Sequence, residues 1–238
     1  MKKNVEFANT EKAQINTSQS VYDAFNNLIF SSDTKVLGKL VARALLAKQT
    51  AGVPGDIVEC GVFKGSGMLS WLKLKQLLFP NAFKKVIGFD FFDTKSLVDS
   101  LSGIDKLRMK QLFADRKFTH KKSGGQELIE QTIRAAGFTL ADYELVAGDI
   151  AKTAKDFVKK RPGFKISLLY LDLDLEKPTL AALKAFWPRV SRGGLVVFDE
   201  YGLHQWSESL GADKFFEGKK IKIKILDFMA PTAYVVKE

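Results

Sequence analysis

The segment Ser167-Leu-Leu-Tyr-Leu-Asp-Leu-Asp-Leu-Glu-Lys-Pro178 constrains the fold most, because it begins as a continuous apolar run and ends in carboxylates. Such a run is typical of a strand buried on both faces of a parallel sheet. Three acids, Asp172, Asp174 and Glu176, follow it just before a proline that can start a helix. Ligands of open α/β sheets bind beyond the carboxyl ends of the strands, so these acids are predicted to lie at a ligand site.

Four more apolar runs alternate with segments of helical periodicity, which predicts a doubly wound α/β sheet that is mostly parallel. Two runs near the end, 221–225 and 233–236, predict an antiparallel hairpin at one edge. The parallel strands are predicted at 56–60, 85–90, 143–149 with its loop, 166–172 and 194–199. Helices are predicted at 21–29, 33–50 with Asp33 as N-cap, 68–78, 126–136, a short one up to 160, 179–187 and 207–216.

Residues 1–54 are predicted to be an N-terminal arm and helices that cover the active site, and residues 55–238 the main domain. Residues 91–125 are irregular, basic and broken by glycines, which favours a functional lid. The basic side chains of this segment could meet a phosphate, although a solvated loop is the simpler interpretation. They are Lys106, Arg108, Lys110, Arg116, Lys117, Lys121 and Lys122.

The composition of the 238 residues narrows the class of protein. No apolar run reaches the ~18 residues of a transmembrane helix, and residues 1–20 lack the apolar core of a secretory signal. A single cysteine, Cys60, cannot form an internal disulfide, which favours a reducing, cytoplasmic location. With only two histidines beside it, any metal is predicted to be held by oxygen rather than by a zinc-type set.

The net charge of +10 fits either a lysine-rich surface or an anionic partner. The lysines are spread along the chain rather than clustered, which disfavours a nucleic-acid partner.

The motif Glu59-x-Gly61-x-x-x-Gly65-x-Gly67 lies between a predicted strand and a predicted helix, where glycines let a ligand approach the backbone closely. Its spacing is neither the dinucleotide fingerprint nor a P-loop. Glu59 would repel a pyrophosphate but attract an ammonium or sulfonium group. Asp90 ends the second strand, where an acid can hold ribose hydroxyls, and Asp149 follows the third, where it could face an adenine amino group.

Together these residues describe an S-adenosylmethionine pocket better than a dinucleotide pocket. The alternative for Asp90 and Asp149 is that each caps a nearby helix.

Asp172 ends the fourth predicted strand, and Asp199 and Glu200 end the fifth. Neighbouring strands lie about 4.8 Å apart, so these carboxylates should converge, and together they would need a cation. Oxygen ligands suit Mg²⁺, Mn²⁺ or Ca²⁺, which would lower the pKa of a substrate hydroxyl. Helix-capping or surface acids are the alternative. Asp174 is interpreted as a general base or as an N-cap, and His204 as a substrate contact or an exposed loop residue.

Five motifs together resemble the macrocin O-methyltransferase (TylF-type) family. They are Asp56-Ile-Val-Glu-Cys-Gly-Val-Phe-Lys-Gly-Ser-Gly67, Gly88-Phe-Asp-Phe-Phe92, Leu171-Asp-Leu-Asp-Leu-Glu-Lys-Pro-Thr-Leu180, Trp187-Pro-Arg-Val-Ser-Arg-Gly-Gly194 and Val197-Phe-Asp-Glu-Tyr-Gly202. The resemblance implies a class I methyltransferase Rossmann-like fold, S-adenosylmethionine as methyl donor and Mg²⁺ or Mn²⁺ as metal. The family has Asp-Gly-Asp-Leu-Tyr where this chain has Asp172-Leu-Asp-Leu-Glu176. It has Asp-Asp-Tyr where this chain has Asp199-Glu200-Tyr201.

By position, the resemblance implies that Asp172, Asp199 and Glu200 are metal ligands and that Asp172 and Asp174 supply the base. It also implies that Glu59, Gly61 and Asp90 contact the cofactor, to which the motif adds Gly65 and Gly67.

The resulting hypothesis is a metal-dependent O-methyltransferase that acts on a hydroxyl of a sugar or glycosylated small molecule, with an anionic acceptor and a homo-oligomer left open. The alternatives are a nucleic-acid methyltransferase, a non-catalytic scaffold of the same fold and a nucleotide-sugar oxidoreductase, which the glycine spacing disfavours.

Overall fold

The structure is a computed structural model that describes residues 19–114, 125–228 and 232–238. The helices are α1 Gln19–Phe30, α2 Lys35–Gln49, α3 Ser66–Leu78, α4 Thr94–Ser100, α5 Gly103–Ala114, α6 Gly125–Ala135, α7 Ile150–Lys160, α8 Glu176–Phe186 and α9 Glu208–Phe216. The strands are β1 Asp56–Cys60, β2 Val86–Asp90, β3 Tyr143–Ala147, β4 Ile166–Leu171, β5 Val190–Phe198, β6 Lys224–Ile225 and β7 Ala233–Val236.

The sheet has the order β3-β2-β1-β4-β5-β7-β6. The first five strands are parallel, whereas β7 is antiparallel to both of its neighbours. This confirms the predicted mostly parallel α/β sheet and its antiparallel edge hairpin. The strand order reverses between β1 and β4, and in open α/β sheets the ligand crevice lies at such a switch point.

Helices cover both faces of the sheet, because the central strands are apolar on both sides. Every residue of β4 is buried. Leu168 and Tyr170 of β4 belong to a core cluster that includes Trp71 of α3. Leu169 belongs to a second cluster, which includes Phe186 of α8. The strand is therefore buried on both faces of the sheet, as its continuous apolar run predicted.

Cys60 is fully buried in the second core cluster, where burial raises the pKa of its thiol well above the usual value. It packs as a small core residue.

The segment predicted as irregular, residues 91–125, contains two helices, α4 and α5, so the prediction was wrong over these helices. Asp93 caps α4, since its carboxylate accepts hydrogen bonds from the backbone N–H groups of Lys95 and Ser96. In α5 only Met109 is buried, which explains why the sequence lacks a clear apolar period there. Of the basic residues considered for phosphate binding, Arg116, Lys117, Lys121 and Lys122 lie outside the described residues.

The chain divides into two compact units, Met1–Val41 and Ala42–Glu238. In the first unit, α1 buries none of its residues, and Asp33 accepts a hydrogen bond from the backbone N–H of Lys35 at 2.8 Å, as the predicted N-cap should. Of the arm predicted at residues 1–20, residues 1–18 lie outside the described residues, and residues 19 and 20 begin α1. The covering role of residues 1–54 stays a prediction. Across the described ranges, no helix combines the length and the apolarity needed to cross a membrane.

Candidate active site at the carboxyl edge of the sheet

The loop after β1, residues 61–67, is called the glycine loop, and it is packed too closely for side chains at two positions. A Cβ on Gly61 would lie 1.8 Å from the backbone oxygen of Asp172, and the residue has a φ of +94°. A Cβ on Gly67 would lie 1.9 Å from Oε1 of Glu59. Glycine at these positions lets the loop after β1 touch the end of β4 and lets α3 begin directly over the Glu59 carboxyl group. Gly65, with a φ of +88°, is the N-cap of α3.

The carboxyl group of Glu59 is 1% exposed, and Arg43 of α2 lies beside it. The distance from Nη2 of Arg43 to Oε1 of Glu59 is 3.9 Å. The guanidinium group also lies over the rings of Trp71 and Tyr170, at 5.7 and 5.1 Å from their centroids. The pKa of Glu59 is raised to about 7, because the effect of burial exceeds the opposite effect of the positive charge of Arg43. In this conformation the carboxyl group lies beneath the loop, and its predicted contact with a cofactor stays a prediction.

Arg43 was missed by the sequence analysis, although a signal was available. It lies on the same face of α2 as the buried residues Ala42, Leu46 and Ala47. An arginine within an apolar face of a helix usually has a buried acid as partner, since an unpaired buried charge is costly.

Asp90, at the end of β2, holds the glycine loop in place. One carboxylate oxygen accepts hydrogen bonds from the backbone N–H groups of Val62 and Phe63, both at 2.8 Å. The other oxygen accepts one from the N–H of Phe92, also at 2.8 Å. Three such bonds fix both the loop and the carboxylate, so Asp90 is pre-organised at the place where a ribose would bind. Its contact with a ribose stays a prediction.

An open cleft of about 450 Å³ lies beyond the ends of β2 and β3, within the usual size range of a small-molecule site. Phe91 and Phe92, which follow Asp90, and Ala147, which ends β3, contribute to its lining. Asp149 follows shortly after and caps α7, accepting a hydrogen bond from the N–H of Ala151 at 2.9 Å. The alternative interpretation of Asp149 as a helix cap therefore describes one of its roles. The lining residues are Phe91, Phe92, Gly125, Gln126, Glu127, Glu130 and Ala147.

The predicted acids lie in two loops: the β4 acid loop, residues 172–175, and the β5 acid loop, residues 199–206. The last residues of the two strands, Leu171 and Phe198, are partners in the sheet, so Asp172 and Asp199 follow at equivalent positions. Asp172 is half-buried, whereas Asp199 is 1% exposed and accepts a hydrogen bond from the hydroxyl of Tyr170. The structure thus brings these two positions to one edge of the sheet.

Asp174 has a φ of +59°, a left-handed conformation that is uncommon for residues other than glycine. The interpretation of Asp174 as an N-cap was wrong, because Leu175 is the N-cap residue of α8, and the N–H of Glu176 at the start of that helix donates to the hydroxyl oxygen of Ser207. Instead, the backbone oxygen of Asp174 accepts a hydrogen bond from the N–H of Ser207. Strained residues of this kind cluster at functional sites. His204 lies exposed in the β5 acid loop, and its contact with a substrate stays a prediction.

Glu208, the first residue of α9, was also missed by the sequence analysis. It is fully buried, and its two carboxyl oxygens accept hydrogen bonds from the backbone N–H groups of Glu200 and Leu173. Burial raises the pKa of Glu208 well above its usual value. No local pattern marks this residue, because its partners come from two other segments of the chain.

The predicted metal ligands Asp172, Asp199 and Glu200 match Mg²⁺ or Mn²⁺ in the type of donor, since all are carboxylates. Their arrangement does not match: within residues 19–114, 125–228 and 232–238, no three side chains of His, Cys, Asp or Glu form a group that could hold a metal ion. The side-chain geometry therefore differs from a metal-holding one, although the positions are adjacent along the sheet edge.

Residues 37–234 match the sequence model of the macrocin O-methyltransferase (TylF) family. The chain belongs to this family. It is 28% identical over 156 residues to the 8-demethyl-8-(2,3-dimethoxy-alpha-L-rhamnosyl)-tetracenomycin-C 4'-O-methyltransferase of Streptomyces olivaceus, an alignment that covers 64% of this chain and 55% of the relative. It is 27% identical over 154 residues to the demethyldecarbamoylnovobiocin O-methyltransferase of Streptomyces niveus, covering 63% and 53%. The chain thus matches about half the length of these curated relatives.

Solved structures of methyltransferases have the same fold. The crystal structure of the calicheamicin methyltransferase CalS11 has a TM-score of 0.75 and 24% identity, and the match covers 99% of this chain and 94% of that one. The O-methyltransferase NovP has a TM-score of 0.68 and 19% identity, covering 84% and 79%. These likenesses establish the class I methyltransferase fold for the TylF-family chain, and they confirm the predicted fold class.

Proposed function

We propose that this chain is an S-adenosylmethionine-dependent O-methyltransferase that acts on a hydroxyl of a sugar or a glycosylated small molecule. The observation that carries the proposal is that, at the switch point of the sheet, the glycine loop of a TylF-family chain touches the β4 acid loop, and the β5 acid loop follows the neighbouring strand. Gly61 and Asp172 touch there, so a methyl donor over the one loop would face a hydroxyl held by the other.

S-adenosylmethionine supplies the methyl group when it is bound. Residues of the glycine loop, Gly61, Gly65 and Gly67, would pass under its methionine end, and Asp90 would accept hydrogen bonds from its ribose. The cleft beside Phe91 and Phe92 would take the adenine, and Asp149, two residues after the lining residue Ala147, is its proposed contact. The fit is supported by three positive φ values in the loop, at Gly61, Phe63 and Gly65, and by a carboxylate that three backbone N–H groups hold in position.

The acid loops would bind and deprotonate the acceptor hydroxyl. Asp172 and Asp174 are the proposed source of the base, since they follow the strand that meets the glycine loop. The left-handed conformation of Asp174 supports a functional role, because such strain persists only where the surroundings hold it.

Dependence on a divalent cation is a separate proposal, with Asp172, Asp199 and Glu200 as the ligands. It is supported by donors of the right type at neighbouring strand ends. A divalent cation at that place would lower the pKa of the acceptor hydroxyl.

The acceptor class is proposed from the relatives. One is named for 4'-O-methylation of a rhamnosyl tetracenomycin, and the other for O-methylation of demethyldecarbamoylnovobiocin. The proposed acceptor, a hydroxyl of a sugar or a glycosylated small molecule, follows the first of these names.

Calorimetry with S-adenosylmethionine, in the presence and absence of Mg²⁺, tests the proposal on the wild type, Asp172→Ala, Asp199→Ala and the control Asp227→Ala, whose side chain is exposed outside the acid loops. We expect the wild type and the control to bind the cofactor, and both to transfer its labelled methyl group to some member of a panel of rhamnosides and nucleotide sugars. We expect Asp172→Ala and Asp199→Ala to retain the cofactor and lose transfer. A wild type that binds no cofactor would refute the enzyme proposal, whereas binding without any Mg²⁺ effect would refute only the cation.

The same panel should include an RNA oligonucleotide, because the net charge of +10 is the feature that kept a nucleic-acid acceptor open. Transfer to the oligonucleotide alone would overturn the sugar proposal.

A further inference from the structure

Two consecutive residues, Ser207 and Glu208, contact both acid loops at the start of α9. The carboxyl oxygens of Glu208 accept from the N–H of Glu200 at 3.0 Å and from the N–H of Leu173 at 3.4 Å. Glu200 belongs to the β5 acid loop and Leu173 to the β4 acid loop. One fully buried carboxyl group therefore spans the gap between the two loops.

Ser207 adds two hydrogen bonds to the β4 acid loop and its exit. Its backbone N–H donates to the backbone oxygen of Asp174 at 2.9 Å, and its hydroxyl oxygen accepts from the N–H of Glu176 at 2.9 Å. The hydroxyl also donates to Asp105 of α5 at 3.3 Å. The bond to Asp174 supports a residue whose left-handed conformation is unfavourable for side chains other than glycine.

These polar groups are not used to cap their own helix, which is the usual role of a serine or an acid at a helix N-terminus. Ser207 is the N-cap of α9, yet no side-chain hydrogen bond caps that helix. α9 also approaches the start of α8 closely, since a Cβ on Gly211 would lie 2.5 Å from the backbone oxygen of Glu176. The start of α9 is thus packed on the first residue of α8 and hydrogen-bonded to both acid loops.

We propose that Glu208 is a positioning residue, which sets the distance between Asp172 and Asp174 on one loop and Asp199 and Glu200 on the other. The proposal rests on the proposed function for its catalytic consequence. The ionised carboxylate suits the task because both of its oxygens accept, and the N–H groups of Glu200 and Leu173 favour that form against the effect of burial. The amide of glutamine, by contrast, offers one acceptor and one donor. Alignment of reacting groups is worth large factors in rate, so a loop that shifts by about 1 Å can cost about a hundredfold.

The test compares Glu208→Gln and Glu208→Ala with Glu217→Gln, a control at the exposed end of the same helix. The first measurement is hydrogen exchange of the Leu173 and Glu200 amides, which needs no substrate. We expect at least one of them to exchange about tenfold faster in Glu208→Gln than in the control, because one N–H loses its acceptor. Exchange rates equal to those of the control would overturn the proposal.

The second measurement is methyl transfer. We expect Glu208→Gln to lower kcat about tenfold or more relative to the control. Its Kd for the cofactor and its Tm should equal those of the control. Glu208→Ala should lower kcat further. A loss of kcat that parallels losses of cofactor binding and Tm would assign Glu208 a structural role only and overturn the proposal. A wild type without transferase activity would refute the proposed function, and the exchange measurement would still decide whether Glu208 holds the loops.

Discussion

The candidate site has two sides: the proposed cofactor side, formed by the glycine loop and Asp90, and the acid side, formed by the two acid loops. The two sides are held in place by different means. On the cofactor side, Gly61 and Gly67 leave no room for a Cβ, and Asp90 fixes the loop through three backbone N–H groups. On the acid side, the side chain of Glu208 joins two loops from different strands, and the backbone N–H of Ser207 donates to Asp174 in one of them. The cofactor side should therefore be damaged most by added atoms, and the acid side by the removal of polar ones.

The largest effect is expected for Gly61→Ala on the cofactor side. The new Cβ would lie 1.8 Å from the backbone oxygen of Asp172, at a φ of +94° that alanine rarely adopts. A backbone atom cannot move aside cheaply, so we expect the free energy of unfolding to fall by about 4 kcal/mol or more. Denaturant unfolding measures it. The matched control is Gly52→Ala, where nothing lies within 4 Å of the added Cβ; equal stabilities of the two variants would contradict the close packing.

Arg43→Met gives the next largest effect and tests whether the two sides are independent. Arg43 is paired with Glu59 on the cofactor side and lies over the ring of Tyr170, whose hydroxyl donates to Asp199 on the acid side. Removing one partner of a buried ion pair leaves the other charge uncompensated, which typically costs about 3–5 kcal/mol. We expect a loss at the lower end of that range by chemical denaturation at pH 8, because the pair is 3.9 Å apart.

The double variant Arg43→Met/Glu59→Gln should regain part of the lost stability, since it removes the uncompensated acid as well. Arg134→Met is the control, because the ion pair of Arg134 with Glu130 is at the surface and should contribute little. A single variant as stable as the wild type would show that Arg43 contributes nothing to the link between the sides.

Both missed residues show what a sequence can and cannot reveal about such a site. The strands and the edge hairpin followed from apolar patterns, which are local and arise from burial. Arg43 and Glu208 depend on partners in other segments, and their importance arises only when the chain folds. The helix α5 was missed for a different reason: its one buried residue, Met109, gives too weak an apolar pattern to predict a helix. Of the two interpretations of Asp174, the N-cap was wrong, since its left-handed backbone and its contact with Ser207 exist only in the folded chain.

A third prediction concerns the pH dependence of stability on the cofactor side. The folded pKa of Glu59 is raised from 4.5 to about 7, mainly by burial. Between these values the folded state holds a proton that the unfolded state has released, so stability decreases as the pH rises from 4.5 to about 7. Glu59 contributes about 3 kcal/mol to the free energy of unfolding below pH 4.5, at 1.36 kcal/mol for each pKa unit, and this contribution is lost above pH 7.

Glu59→Gln should remove this part of the slope, and unfolding free energies of both proteins at pH 5, 6, 7 and 8 measure the difference. The expectation concerns the slope rather than the absolute stability, because the substitution also leaves Arg43 without its charged partner. Parallel curves for the wild type and the variant would refute the raised pKa.

The smallest effect separates the helix-capping role of Asp149 from its proposed contact with the adenine, and it sharpens the definition of the cofactor side. Asp149 caps α7 through the N–H of Ala151, so Asp149→Ala should lower the free energy of unfolding by about 1 kcal/mol. Asp149→Ser keeps an oxygen acceptor at the N-cap and should be nearly as stable as the wild type. If the carboxylate also meets the adenine amino group, both variants should bind S-adenosylmethionine more weakly by a similar factor in calorimetry. A serine variant with wild-type affinity would assign Asp149 to the helix alone, and the cofactor side would then depend on Asp90 and the glycine loop.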